Sequence, residues 1–205
     1  MAFFAFRSQN AQAMPDGAAP LRETLAAGIL LKLCWQHDEA LVDPRCGSGS
    51  FLIEAALMAQ GIPPGMQRDF AFMHWPKFRP GAWQSLRNGT ANEKFAPPLL
   101  GSDIDNEVLA RAERNAQRAQ VPGEIKWRQG GLSAIVAPAP RGLLVCNPPY
   151  GERIGEGAAL HQLYRDFGET LRSRFTGWRF AFLCPETELV RLTGLACEPL
   201  CGLSE

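Results

Sequence analysis

Three short stretches of this chain hold residue types that could do chemistry. The first, Asp43-Pro44-Arg45-Cys46-Gly47-Ser48-Gly49, follows a short apolar run. Glycines there let the chain turn tightly and let a ligand come close to the backbone. The stretch lacks the Gly-Lys-Ser/Thr ending of a Walker phosphate loop, and it is not a full Gly-x-Gly-x-x-Gly. The second, Gly101-Ser102-Asp103-Ile104-Asp105, ends another apolar run in acids. A carboxylate at a strand end can accept both hydroxyls of a ribose, whereas one that precedes a helix caps it. We assign the first role to Asp103 and the second to Asp105. The third, Asn147-Pro148-Pro149-Tyr150, gives up two backbone donors directly after an apolar run. The Asn147 amide oxygen and the Pro148 carbonyl can together accept both protons of a planar amino group. Tyr150 can stack on the ring that carries it. Each stretch also has a plain structural reading: a strand-to-helix turn, a helix cap, a rigid turn with a surface tyrosine.

These stretches can act together only if the fold brings them to one edge. From Pro20, LRETLAAGILLKLCW predicts a helix with proline at its start. Residues 39–43 predict a strand that runs into the glycine loop, and FLIEAALMAQ predicts a helix ended near Gly61. Residues 61–98 read as an insertion rich in Pro, Phe and Trp, with a helical piece at Trp83 to Leu86. PLLGSDID predicts a strand, NEVLARAERNAQRAQ a long helix, and IKWRQ a strand. GLLVCNPPY predicts a strand stopped by its two prolines. An amphipathic helix closed by Gly177, a strand at WRFAFLCP and a short helix at TELVRLTG follow. Strands and helices alternate, which predicts an α/β fold with a doubly wound, mostly parallel sheet. Ligands of such sheets bind beyond the carboxyl ends of the strands. Residues 1–19 carry little pattern and read as a flexible lead-in to a domain spanning 20–205.

Composition narrows the classes. The chain has 205 residues, 46% of them apolar and 20% charged. That suits one globular domain and excludes disordered and collagen-like classes. No apolar run approaches the roughly 18 residues of a membrane span. The opening MAFFAFRSQN has neither a basic n-region nor a proper apolar h-region. Six cysteines include no Cys-x-x-Cys pair, and none of the three histidines stands at a zinc-like interval from one. We read reduced thiols, no metal and a cytoplasmic setting. Net charge is zero, yet residues 66–180 carry 16 basic and 11 acidic side chains, against 5 and 10 elsewhere. Of the 21 basic residues, 17 are Arg, the better side chain for phosphate and for base stacking. The neutral total therefore hides a polarised chain, compatible with RNA along one side.

The three loops, in this order, resemble class I S-adenosylmethionine-dependent methyltransferases that act on amino groups. The first resembles the motif that wraps the methionine part of the cofactor, and Asp103 matches the ribose-binding acid. Asn147 to Tyr150 matches the (D/N)PP(Y/F) signature of transfer to an exocyclic amine. APLRETLAA before DPRCGSGSFLIEAALMA, together with NPPYGER, is similar to RNA methyltransferases that carry a THUMP domain. Among these it is most similar to the guanine-N2 methyltransferases of bacterial 23S ribosomal RNA. The segment GIPPGMQRDFAFMHWPKFRPGAW is similar to an insertion of that group.

The resemblance implies a Rossmann-like fold, S-adenosylmethionine as cofactor and RNA as partner. It implies cofactor contacts from Asp43, Pro44, Cys46, Gly47, Ser48, Gly49, Asp103, Ile104, Leu132 and Asn147. It implies catalytic roles for Asn147, Pro148, Pro149 and Tyr150. Arg22 and Glu23 in the APLRE string either line the cofactor pocket or form a plain charge pair at a helix start. Two departures stand out. Gln129-Gly130-Gly131 replaces the usual acid beside the adenine amine, which leaves adenine to backbone groups such as those of Leu132. The chain also stops short of the hairpin that supplies strands six and seven, so the fifth strand is expected to present a bare edge. Adenine-N6 transfer, and an RNA-binding chain without turnover, remain as alternatives.

Overall fold

The computed structural model describes residues 3–6, 21–63, 69–88, 95–121, 123–149, 157–184 and 187–199. Seven strands form one sheet: β1 (Phe3–Phe6), β2 (Ala40–Asp43), β3 (Leu99–Asp103), β4 (Ile125–Gln129), β5 (Gly142–Cys146), β6 (Arg179–Leu183) and β7 (Glu198–Pro199). Their order is β4-β3-β2-β5-β6-β1-β7. Every neighbouring pair is parallel. The helices are α1 (Glu23–Lys32), α2 (Ser50–Ala59), α3 (Pro80–Asn88), α4 (Asn106–Arg118), α5 (Gly157–Arg174) and α6 (Thr187–Leu192). The chain moves outward from β2 to β4, then returns to β5 on the other side of β2. The switch point of this Rossmann-like sheet therefore lies between β2 and β5.

The sheet is buried on both faces, so its central strands are largely apolar along their length rather than alternately. In β5, Leu143 and Val145 pack with α1 and α2, while Leu144 and Cys146 face Phe167 and Leu171 of α5. Residues of β6 divide in the same way, Ala181 and Leu183 against Phe180 and Phe182. α2 lies within the first of these layers, with Phe51, Leu52, Ile53, Ala55, Ala56 and Ala59 all buried. Each large side chain removed from water contributes about 1.5–3 kcal/mol before chain entropy is counted. Gly142 has a steric reason: an added Cβ would lie 2.5 Å from the Ala40 carbonyl oxygen and 2.8 Å from the Trp178 ring. A single ion pair of 2.6 Å between Arg179 and Glu39 braces the start of β6 against the turn before β2. The same guanidinium donates to the Leu33 carbonyl.

Three expectations change. The lead-in is not without pattern, because residues 3–6 form β1, paired in parallel with β6 from Phe3↔Phe180 to Phe6↔Leu183. The edge of the fifth strand of the doubly wound core, β6, is accordingly covered by β1, with β7 beyond it. Four apolar residues far from their partner in sequence give no local sign of a strand; the sheet edge alone supplies their hydrogen bonds. The helical piece of the insertion is also longer than Trp83 to Leu86, running from Pro80 to Asn88. Among the described residues, no helix is long and apolar enough to cross a membrane.

Candidate active site

The carboxyl ends of β2, β3 and β5 meet at the switch point, and the three sequence stretches stand there. β2 ends in Asp43, which is 2% exposed. The chain then turns through buried Pro44 and Cys46. Asp43 Oδ1 accepts from the Arg45 amide at 3.2 Å. Burial pushes this carboxyl up from its ordinary value to about 8. The nearby Asp103 charge adds to the rise; the Arg45 amide and guanidinium oppose it. Burial likewise pushes up the thiols of Cys46 and Cys146, aided by the charges of Asp43 and Asp103. Neither thiol is a nucleophile in this setting.

The glycine loop is pinned from below. The Gly47 amide donates to Asp103 Oδ2 at 3.2 Å, and the Cys46 amide donates to the Ser102 carbonyl at 2.9 Å. Gly47 and Gly49 adopt φ of +54° and +84°, which side chains rarely follow. Their surroundings differ. A Cβ on Gly47 would meet nothing within 4 Å, so the space over the loop is open. A Cβ on Gly49 would lie 2.8 Å from the Trp127 ring. Gly49 serves the fold, whereas Gly47 faces open space.

Asp103 is buried at the end of β3 and also accepts from the Asp105 amide at 3.2 Å. Asp105 caps α4, accepting from the Glu107 amide at 2.8 Å and the Val108 amide at 3.4 Å. The side chain of Ile104 stands out between them, 59% exposed. An added Cβ on Gly131 would lie 3.9 Å from it. The 129–131 turn is held to β3: Ser102 Oγ donates to the Gly130 carbonyl, and the Gly130 amide donates to the Asp103 carbonyl at 2.8 Å. Gln129 Nε2 donates to the Ile104 carbonyl at 3.3 Å. The Leu132 side chain is buried against the α5 layer, so only its backbone can face a ligand.

β5 delivers Asn147, half-buried, then Pro148, buried, and Pro149, exposed. Tyr150 lies outside the described residues. The structure thus brings the other predicted residues to one edge. It also shows partners that the sequence did not mark. Asn115 of α4 donates to the Ser48 carbonyl at 2.9 Å. Ser48 Oγ and Ser50 Oγ stand 3.2 Å apart, and Ser50 Oγ donates to the Leu21 carbonyl at 2.8 Å. That last bond sets the start of α1, where Arg22 and Glu23 stand, beside the glycine loop. Glu23 and burial together push the Glu54 carboxyl up. Trp127 was read only as a strand residue, but its ring lies against both Gly49 and Gly101. Nothing in its local sequence signals this.

Residues 13–196 match the UPF0020 family, RMKL-like, methyltransferase domain. The chain belongs to this methyltransferase family. The ribosomal RNA large subunit methyltransferase K/L of Shewanella baltica is 43% identical over 182 residues, covering 85% of this chain and 26% of that protein. The chain thus spans about a quarter of that relative's length. SMU.472, solved in complex with SAH, superposes with a TM-score of 0.80 at 34% identity, over 87% of this chain and 48% of that one. A Listeria monocytogenes protein described as a predicted N6-adenine-specific DNA methylase gives 0.79 at 32% identity, over 91% and 50%. The methyl donor of an RMKL-like methyltransferase domain is S-adenosylmethionine. The donor set here fits it: two buried carboxylates, an open glycine turn and an exposed apolar side chain at one sheet edge.

Proposed function

We propose that the chain transfers a methyl group from S-adenosylmethionine to the exocyclic N2 amine of a guanine in 23S-type ribosomal RNA. One observation carries this reading. The glycine loop held by Asp103 and the Asn147-Pro148-Pro149 stretch stand on adjacent strands, β2 and β5, at the switch point. Asp103 takes the ribose hydroxyls. Asp43 and the loop from Pro44 through Cys46, Gly47, Ser48 and Gly49 take the methionine end. Ile104 lies against the adenine, whose edge meets the Leu132 backbone.

Bound S-adenosylmethionine supplies a methyl already activated on a sulfonium. The protein therefore has to align the amine and stabilise charge rather than create a nucleophile. A guanine amine is poor because its lone pair is delocalised into the ring. Asn147 and the Pro148 carbonyl accept its two N–H bonds and turn the lone pair toward the methyl. Pro149 stiffens the loop, and Tyr150 stacks on the base. No base of pKa near 7 is needed before attack, since the proton becomes acidic once the nitrogen is cationic. The guanine has to leave its stack to enter. Arginine excess in the middle of the chain suits an RNA partner, with binding by this chain alone weak and steeply salt-dependent.

Incubation with S-adenosylmethionine and ribosomal RNA, followed by nucleoside digestion and mass spectrometry, tests the reading. Methylated guanosine is the expected product. Asn147→Ala should abolish it while calorimetric cofactor binding stays nearly intact; equal loss of both would sink the role given to Asn147. A second reading, adenine-N6 transfer through the same loop, draws support from the likeness to the Listeria protein; methylated adenosine would select it. A chain that binds no S-adenosylmethionine would instead be a non-catalytic RNA-binding one.

A further inference from the structure

The insertion between α2 and β3 carries a surface that methyl transfer does not use. Phe70 and Phe72 stack with centroids 5.4 Å apart, and Trp83 sets its edge against both, at 5.8 and 5.1 Å. Phe78 joins at 5.8 Å from Phe72. These rings make a small aromatic core of their own. Beside it lies a groove of about 410 Å³, within the roughly 300–1,000 Å³ of small-molecule sites. Two features define what the groove can hold. Trp75 lines it at 67% exposure, and no described ring covers its indole. Among the described residues, the charged side chains lining it, Lys77 and Arg79, are cations and exposed. Residues 61–98 as a whole carry five basic and two acidic side chains.

A flat ring linked to negative charge satisfies both, and a nucleotide is that object. We propose that the groove docks an unpaired nucleotide of RNA, the base stacking on Trp75 and the phosphates lying against Lys77 and Arg79. The choice of RNA rests on the reading proposed above. Position decides the kind of effect. The insertion leaves the end of α2 and returns at the start of β3, closed by the Phe95 amide on the Ala59 carbonyl at 3.0 Å. Strand starts lie at the edge opposite the catalytic loops. No residue lining the groove belongs to the catalytic loops, so the groove adds RNA affinity and leaves the methyl-transfer step alone.

Fluorescence anisotropy with a labelled ten-nucleotide unpaired RNA and the full chain tests this, with cofactor binding followed by calorimetry. Trp75→Ala should weaken RNA binding about fivefold or more. Lys77→Ala with Arg79→Ala should lower the slope of log affinity against log salt by about 1.4. Both should keep wild-type cofactor affinity and melting temperature, since the side chains are exposed; in turnover, KM for RNA should rise with kcat unchanged. Wild-type RNA affinity and salt slope in both variants would overturn the proposal. So would self-association that Trp75→Ala abolishes while RNA binding persists, which would make the groove an interface between copies. The two readings fail separately. RNA bound through the groove without methylation removes the proposed function and keeps the groove. Methylation at wild-type KM in both variants does the reverse.

Discussion

The hydroxyl of Tyr164 lies 3.2 Å from the carbonyl oxygen of Pro149 and 3.3 Å from the sulfur of Cys184. One fully buried phenol on α5 thus ties the Asn-Pro-Pro stretch to the residue after β6. A loop with two prolines has few donors of its own, so its carbonyls are oriented from outside. Gly168 lets α5 sit this deep, since a Cβ there would come within 1.8 Å of the Thr193 carbonyl oxygen.

Tyr164→Phe removes only the hydroxyl. Stability should fall by about 1 kcal/mol, the net value of one such bond. The larger effect should be on kcat, reduced about tenfold through looser placement of Asn147 and Pro148, with KM for S-adenosylmethionine unchanged. Steady-state kinetics beside a thermal melt separates the two; a proportional rise in cofactor KM would show that the hydroxyl acts elsewhere.

With the methionine-end role proposed for Asp43, cofactor affinity should depend on pH. Its carboxyl is raised from 3.8 to about 8 in the free protein. The cofactor is cationic at its sulfonium and ammonium, so binding favours the carboxylate and releases a proton. Affinity should rise up to tenfold per unit from pH 6 to 8 and flatten above, and Asp43→Asn should abolish the slope. Calorimetry in buffers of different ionisation enthalpy counts the proton; no proton released at pH 7 would contradict this.

The same residue should cost stability. A carboxyl whose folded pKa is raised binds its proton more tightly in the folded state. Its penalty is therefore absent below about pH 4, grows as pH climbs toward 8, and is constant beyond, on the order of 5 kcal/mol. Asp43→Asn should raise the melting temperature of the cofactor-free protein at pH 8 and leave it nearly unchanged at pH 4. An equal shift at both pH values would mean that charge is not the cause.

The glycines at the site should fail in different ways. Gly101→Ala puts a Cβ 2.6 Å from the Trp127 ring and 2.7 Å from Leu52. It should destabilise by about 1–3 kcal/mol through overpacking. Gly47→Ala meets open space and carries only the strain of φ +54°, about 1–2 kcal/mol, but it fills the approach to the loop. Denaturant midpoints should therefore fall in both, with cofactor affinity per folded molecule lost mainly in Gly47→Ala. The reverse ranking would reassign Gly47 to the fold alone.

Much of this was legible in the sequence because it is local. Alternating apolar runs and helical periods announced the strands from Ala40 to Leu183 and the helices between them. The acid at each strand end announced Asp43 and Asp103. The strand at Phe3–Phe6 was not legible, since its partner is β6, more than 170 residues away. Trp127, Asn115 and Tyr164 were missed for the same reason. Their types are ordinary at their own positions, and their importance comes from what they touch.

The zero net charge with its arginine-rich middle, the alternation of elements and the loop motifs are properties of the sequence alone. They determined a parallel α/β sheet with chemistry at the carboxyl ends of its strands. Tertiary structure alone decided which glycine is held by packing and which faces open space, because that depends on whether Trp127 or nothing faces the missing Cβ. It alone decided that the Asp43 carboxyl is pushed up to about 8, because burial is a property of the assembled sheet. It also separated the aromatic residues of the insertion into a packed core and an exposed Trp75. Periodicity records how a segment sits on its neighbours, whereas distance and desolvation exist only once the segments meet.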